Sequence, residues 1–225
     1  MKVQLMLTCL CDAFFGDVGQ ATVEVLEKAG CEVVFPENQT CCGQPPFNSG
    51  DWENARSVCK RLLQVFDDNL PIVTPSSSCA AMLRHGFGEL GLPTPDAYEL
   101  CEFLTLKLHY KPKGKVKATR AAFHRACHGR ILKLGHIQEE VLSEIRGLEL
   151  VKFDEEEQCC GFGGSFSVTH PTISSQIGRN KLTAIKASGV DTIISGDMSC
   201  LMHLRGLDNG VQIRHVAQVL AEAVR

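Results

Sequence analysis

Two stretches of this 225-residue chain, QTCCGQP at 39–45 and EQCCGFG at 157–163, set a pair of adjacent cysteines ahead of a glycine. The pairs sit in a fixed frame. Thirty-one residues separate Cys9 from Cys41, and thirty-one separate Cys127 from Cys159. A further 36 lie between Cys42 and Cys79, and 39 between Cys160 and Cys200. In the same register Val33 meets Val151, Phe35 meets Phe153, and SCAAMLR (78–84) faces SCLMHLR (199–205). A frame kept over this length makes the chain two copies of one half. The halves are expected at 1–110 and 111–225, with the basic segment HYKPKGKVKATR (109–120) as their joint.

Within each copy, short β-branched runs alternate with helical patterns. VQLMLT (3–8), CEVVFP (31–36), LPIVTPS (70–76), VKATRAAFH (116–124), LELVKFD (148–154) and DTIISG (191–196) read as strands. Helices are predicted over 18–30, 51–66, 135–147 and 171–188, with others starting near Cys79 and Cys200, and the tail reads as one more strand and a closing helix. In the 51–66 helix, Asp51 is the predicted N-cap, and Trp52, Ala55, Cys59, Leu62 and Phe66 form its apolar face. The class is α/β: two pseudo-symmetric repeats of strand–helix–strand–CCG loop–helix–strand–helix, with parallel sheets and right-handed crossovers.

The cysteines then need a chemistry. The N-terminal apolar run breaks at Thr8, too short for a secretory signal or a membrane span, so a cytoplasmic location is expected. In that compartment thiols stay reduced, and twelve patterned cysteines point to metal or redox chemistry rather than disulfides. A net charge of −3 argues against nucleic acid or an anionic membrane as partner. No P-loop or nucleophile-elbow motif is present, and GFGGSF (161–166) lacks the spacing of a dinucleotide loop.

The recurring cysteines fall after strands or at loop-to-helix junctions, the edge where parallel sheets place their ligands. Two sets of four result: Cys9, Cys41, Cys42 and Cys79, then Cys127, Cys159, Cys160 and Cys200. Four thiolates suit an iron–sulfur cluster or tetrahedral zinc. An adjacent pair aims its thiols apart, unlike the spaced knuckles of structural zinc, which favours a cluster of several metal atoms, with zinc as the alternative. Gly43 and Gly161 are expected to let the backbone pass close to that group. Cys11 competes with Cys9, but Cys9 alone keeps the 31-residue spacing. Cys31, Cys59 and Cys101 read as core. His128 is expected beside the cluster or at the surface, and DEEE (154–157) as a solvated turn.

QTCCGQP, PSSSCAAM, CCGFGGSFSV and DMSCLMH together resemble the cysteine-rich CCG domain family in tandem, over nearly the whole chain. Within it the chain is similar to small iron–sulfur subunits of bacterial L-lactate oxidation systems. That resemblance implies electron transfer through iron–sulfur clusters of the 4Fe-4S kind during conversion of lactate to pyruvate. It also implies two partners, a larger ferredoxin-like iron–sulfur subunit and a third protein. More distant relatives that reduce heterodisulfides end each motif in C-x-x-C. Here Met82 and His203 occupy those final positions, so four thiolates remain per half, and His203 is a candidate additional ligand. Three function classes follow: a redox subunit, a thiol–disulfide reductase that the missing fifth cysteines count against, and a zinc-stabilised structural protein. With histidine only in the second motif, that half is expected to be the more reactive.

Overall fold

The computed structural model describes residues 1–67 and 69–225. Eight strands form two four-stranded sheets. The first contains β1 (Lys2–Leu5), β2 (Glu32–Val34), β3 (Ile72–Thr74) and β4 (Ala97–Glu99) in the order β2-β1-β3-β4. The second contains β5 (Gly114–Phe123), β6 (Ile145–Leu150), β7 (Thr192–Ser195) and β8 (Gln212–His215) in the order β6-β5-β7-β8. Every pairing is parallel. The same order twice is the structural form of the repeated cysteine frame.

Helices cross between the strands because their apolar faces match the sheets. Gly16–Lys28 joins β1 to β2 and buries Val18, Ala21, Thr22, Val25 and Leu26. Trp52–Leu63 joins β2 to β3, with Asp51 accepting the Asn54 N–H as predicted and Ala55, Cys59 and Leu62 buried one turn apart. Trp52 departs from the predicted face. It is 54% exposed and stacks on Phe47, because the first residue of that helix lies beyond the edge of the core. The counterparts in the second half are Ile137–Ser143 and Pro171–Ala187.

Three expectations shift. The helix predicted to 147 stops at Ser143, and β6 already begins at Ile145, which pairs with Gly114 of β5. More than half of the basic joint is strand: Gly114 to Arg120 belong to β5, where Val116 turns inward and the flanking lysines outward. β4 is an added strand, three residues long, just after Pro93 and Pro95.

The two halves exchange their closing helices. Val216–Val224, which follows β8, packs against Gly16–Lys28, and the turn Leu100–Glu102 after β4 packs against Ile137–Ser143. One apolar core therefore runs from Val3 and Val25 through Leu104 to Leu220. Between the sheets, Ser76 and Asp197 form an antiparallel bridge, and the Ser77 N–H donates to the Gly196 carbonyl (3.3 Å). These two residues cap the helices Ser77–Ala81 and Met198–Leu207, so a pseudo-twofold axis passes between the helix starts. Asp197 reaches across it: its carboxylate accepts from the Ser78 N–H (2.9 Å) and the Ser76 hydroxyl (3.3 Å).

Candidate functional site

Each sheet delivers its cysteines from the C-terminal ends of three adjacent strands. Beyond β1, Cys9 is the first residue of the helix Cys9–Phe14, and beyond β5 Cys127 opens the helix Cys127–Ile131. The CCG loops follow β2 and β6. Cys79 and Cys200 lie in the first turn of the helices after β3 and β7. All eight predicted site cysteines are thus at the two sheet edges, four to each.

The thiols touch in the same order in both halves. Cys9 Sγ lies 3.8 Å from Cys41 Sγ, Cys41 neighbours Cys42, and Cys42 neighbours Cys79. In the second half Cys159 neighbours Cys127 and Cys160, and Cys160 and Cys200 have their sulfurs within 4.8 Å of one another. One thiol in each chain is the acid. Hydrogen bonds from Cys42 and Cys9 pull Cys41 down to about 3, and the same from Cys127 and Cys160 pull Cys159 to about 2, helped by the Gly161 N–H at 3.3 Å. The neighbours hold their protons: Cys9 and Cys42 are pushed up by their bond to Cys41, Cys127 and Cys160 by theirs to Cys159. Four converging sulfurs form a donor set that fits a thiophilic metal or cluster.

The remaining cysteines divide as their patterns predict. Cys11 points into the core beside Val18 and Ala21, and burial pushes its thiol up to about 12, whereas Cys9 is exposed at the sheet edge. Cys31 and Cys101 are also core, and Cys59 donates to the Cys42 carbonyl (3.5 Å) from behind the loop.

The CCG glycines also let each loop pack closely on protein. Gly43 and Gly161 have φ of +86° and +91°, where side chains are strained. A methyl group on Gly161 would lie 2.4 Å from the Ser174 carbonyl, and one on Gly43 2.8 Å from Cys59 Sγ. The glycines press each loop onto the helix behind it.

The turn before Cys159 exposes most of its acidic side chains, as expected, and its backbone is held from beneath. Buried Lys181 donates to the carbonyls of Glu155 (2.8 Å) and Glu156 (2.7 Å), and Arg125 and Arg130 pair with Glu157. Burial lowers Lys181 to about 8.

The histidines surround the second set. His128 Nδ1 lies 3.6 Å from Cys127 Sγ, and its Nε2 lies 3.0 Å from the amide of Gln44 in the first CCG loop. With that amide donating, the ring proton sits on Nδ1 and points at the thiol. His203 lies against Phe162, its Nε2 3.4 Å from the Ser174 hydroxyl, beside the loop backbone. A third, His124, comes immediately after β5 and lies with Cys160 and Cys200, all three buried; burial lowers it to about 3. The sequence reading passed over it as a strand end, although the register that pairs Cys9 with Cys127 also pairs Met6 with His124.

Over the first set lies a cavity of about 250 Å³. Cys9, Cys41, Cys42 and Cys79 form its floor, and Phe162, Val168 and Asp197 from the second half are part of its wall. Among the described residues, no helix is long and apolar enough to cross a membrane.

Comparison with known proteins follows this geometry. The cysteine-rich domain model, CCG, matches residues 3–84 and again 121–205. The chain is 42% identical to lactate utilization protein A of Shouchella clausii (strain KSM-K16), with 98% of each covered. It is 38% identical to lactate utilization protein A of Bacillus subtilis (strain 168), covering 98% of this chain and 99% of that one. A crystal structure of a hypothetical protein from Helicobacter pylori superposes with a TM-score of 0.62 at 12% identity, over 99% of this chain. The chain spans 49% of that protein's length, and the likeness concerns the fold alone. The double match and the near full-length identities place the chain in the cysteine-rich CCG domain family, within the group of lactate utilization protein A.

Proposed function

We propose that the chain is an iron–sulfur redox subunit of lactate utilisation, with one metal centre in each half, 1–110 and 111–225. The observation that carries this reading is the recurrence of one four-thiol chain, in the same contact order, at two equivalent sheet edges. Cys9, Cys41, Cys42 and Cys79 would hold the first centre, and Cys127, Cys159, Cys160 and Cys200 the second. A bound cluster of the 4Fe-4S kind supplies reversible one-electron uptake.

The residues around the thiols serve that role in distinct ways. The CCG loops fix two sulfurs at once on a backbone that glycine packs tightly. The N–H groups of Gly161 and Phe162 face Cys159 Sγ and Cys160 Sγ at 3.3 and 3.5 Å and stabilise negative charge there. His128 directs a proton at Cys127. The cavity over the first set is mainly apolar, and its one ionisable group besides the thiols is the carboxylate of Asp197. That lining disfavours a carboxylate substrate, which supports lactate being oxidised on a partner. The partners in this reading are a ferredoxin-like iron–sulfur subunit and a third subunit, with lactate and pyruvate met indirectly and the complex in the cytoplasm.

The test is anaerobic purification, cluster reconstitution, and determination of iron and acid-labile sulfide with EPR. A brown protein with iron and sulfide and a reducible EPR signal is expected. Stoichiometric zinc without sulfide after reconstitution would overturn the reading in favour of a structural metal.

A further inference from the structure

Of the three histidines near the second thiol set, two have their side chains engaged. His128 spends one nitrogen on Cys127 and the other on Gln44, and His203 Nε2 meets Ser174. His124 differs. It is 0% exposed, and neither of its ring nitrogens has a hydrogen-bond partner. An imidazole desolvated with nothing to bind costs free energy, and a native core rarely leaves such a group alone. Its donor atom and the sulfurs of Cys160 and Cys200 all lie within 4.8 Å of one another.

The main chain, not the side chain, holds the ring there. The His124 N–H donates to the Ile194 carbonyl (2.8 Å), and its own carbonyl accepts from the Ser195 hydroxyl (2.8 Å). The first half builds the same position: the Met6 N–H donates to the Val73 carbonyl (2.9 Å), and Met6 is buried in one cluster with Cys42 and Cys79. Evidently the backbone seat beneath the thiols is duplicated, while its occupant is a thioether in one half and an imidazole in the other.

We propose that His124 is a nitrogen ligand of the second metal centre, which then has four cysteines and one histidine, while the first has cysteine sulfur alone. The proposal rests on the metal-centre reading above. Imidazole binds iron and zinc readily, and histidine nitrogen is a known donor to iron–sulfur centres.

The deciding experiment is pulsed EPR of the anaerobically reconstituted full-length protein, in whichever oxidation state is paramagnetic, with and without ¹⁵N-histidine. Wild type is compared with His124→Met, which installs the first-half residue, and with His128→Ala and His203→Ala. A strong nitrogen hyperfine coupling is expected that changes with the label, is lost in His124→Met, and survives in the other two variants. Iron and sulfide content of His124→Met should stay that of wild type, since four cysteines remain. An iron–sulfur protein with only the weak coupling of a hydrogen-bonded ring, or none, overturns the proposal while leaving the metal reading intact. Strong coupling that persists in His124→Met, or that disappears in His128→Ala or His203→Ala, also overturns it. If His124→Met fails to fold, the labelled wild type and the other two variants still decide. A wild type that takes up neither iron nor sulfide fails the earlier reading and this one together.

Discussion

Met6, Leu10 and Met82 in the first half stand where the second half carries His124, His128 and His203. The thiol frame beneath them is the same: same strand ends, same contact order, and one acidic sulfur at the same place in each chain. Duplication has kept the sulfur donors and varied their surroundings. The first set is roofed by a mainly apolar cavity and has an exposed Cys9; the second is ringed with imidazoles and closed by ion pairs. Surroundings of this kind set potential and access more than identity of the metal. Two centres of one design are thereby expected to differ in potential.

The sharpest stability contrast lies in the CCG glycines. Gly161→Ala combines a left-handed backbone with a collision against the Ser174 carbonyl and should cost about 3–5 kcal/mol. Gly43→Ala meets first a sulfur at the end of a side chain and should cost about 1–3 kcal/mol. Denaturant unfolding of the metal-free variants measures both. Equal costs would mean that the two loops are not packed differently on their helices.

Exchanging the motif-final residues separates packing from tuning. Met82 is buried, so Met82→Ala should lower stability by about 2–4 kcal/mol and leave the first centre's potential in place. His203→Ala should cost less, yet shift the potential of the second centre or its pH dependence, and slow lactate-dependent electron transfer with partner subunits. A redox titration followed by EPR at several pH values reads this. Equal, small effects from both would remove His203 from any role at the centre.

A further pair tests the comparison away from the thiols. Glu99 and His215 occupy equivalent N-caps after β4 and β8, both fully buried. Burial raises Glu99 to about 7, so the folded chain holds a proton that the unfolded chain has lost. Its contribution is full below the ordinary carboxylate range and is lost as pH rises toward 7. Burial lowers His215 to about 4, so the unfolded chain binds the extra proton, and stability from this group grows from pH 4 to the usual imidazole range. The two slopes oppose each other across the shared window. Glu99→Gln should remove the falling one and make stability climb more steeply between pH 4.5 and 7. An unchanged stability profile would show that Glu99 ionises freely in the fold.

The smallest expected effect concerns a thiol outside both sets. Cys59→Ser should cost about 1–3 kcal/mol and leave both centres loaded, since its sulfur only supports the Cys42 carbonyl. Bleaching by this variant would mean that the frame has been assigned to the wrong cysteines.

The legible part of this molecule was whatever spacing controls. Counting between cysteines found the two halves, the sheet edges and the eight converging thiols, because a loop that must reach one point tolerates little change in length. Periodicity failed where packing overrules it. Trp52 reads as core but lies past the core's edge, and Ala97–Glu99 is too short a strand to show alternation. The turn at 154–157 reads as solvated and is mostly exposed, but the hold on its backbone by Lys181, 26 residues further along the chain than Glu155, leaves no mark in the local pattern. His124 keeps the spacing of the repeat, opposite Met6, but carries no cysteine to mark it. Its unpartnered nitrogens, by contrast, need three dimensions.

The central claim, one centre per half on its own four thiols, is tested most directly by metal stoichiometry. Iron and labile sulfide are determined per chain in reconstituted wild type, Cys42→Ser and Cys160→Ser, all prepared anaerobically. Serine is a poor substitute for a thiolate, so each variant should hold about half the wild-type content, with complementary halves of the EPR spectrum missing. A variant that loses everything, or two variants that both keep the full content, would contradict two independent four-thiol centres.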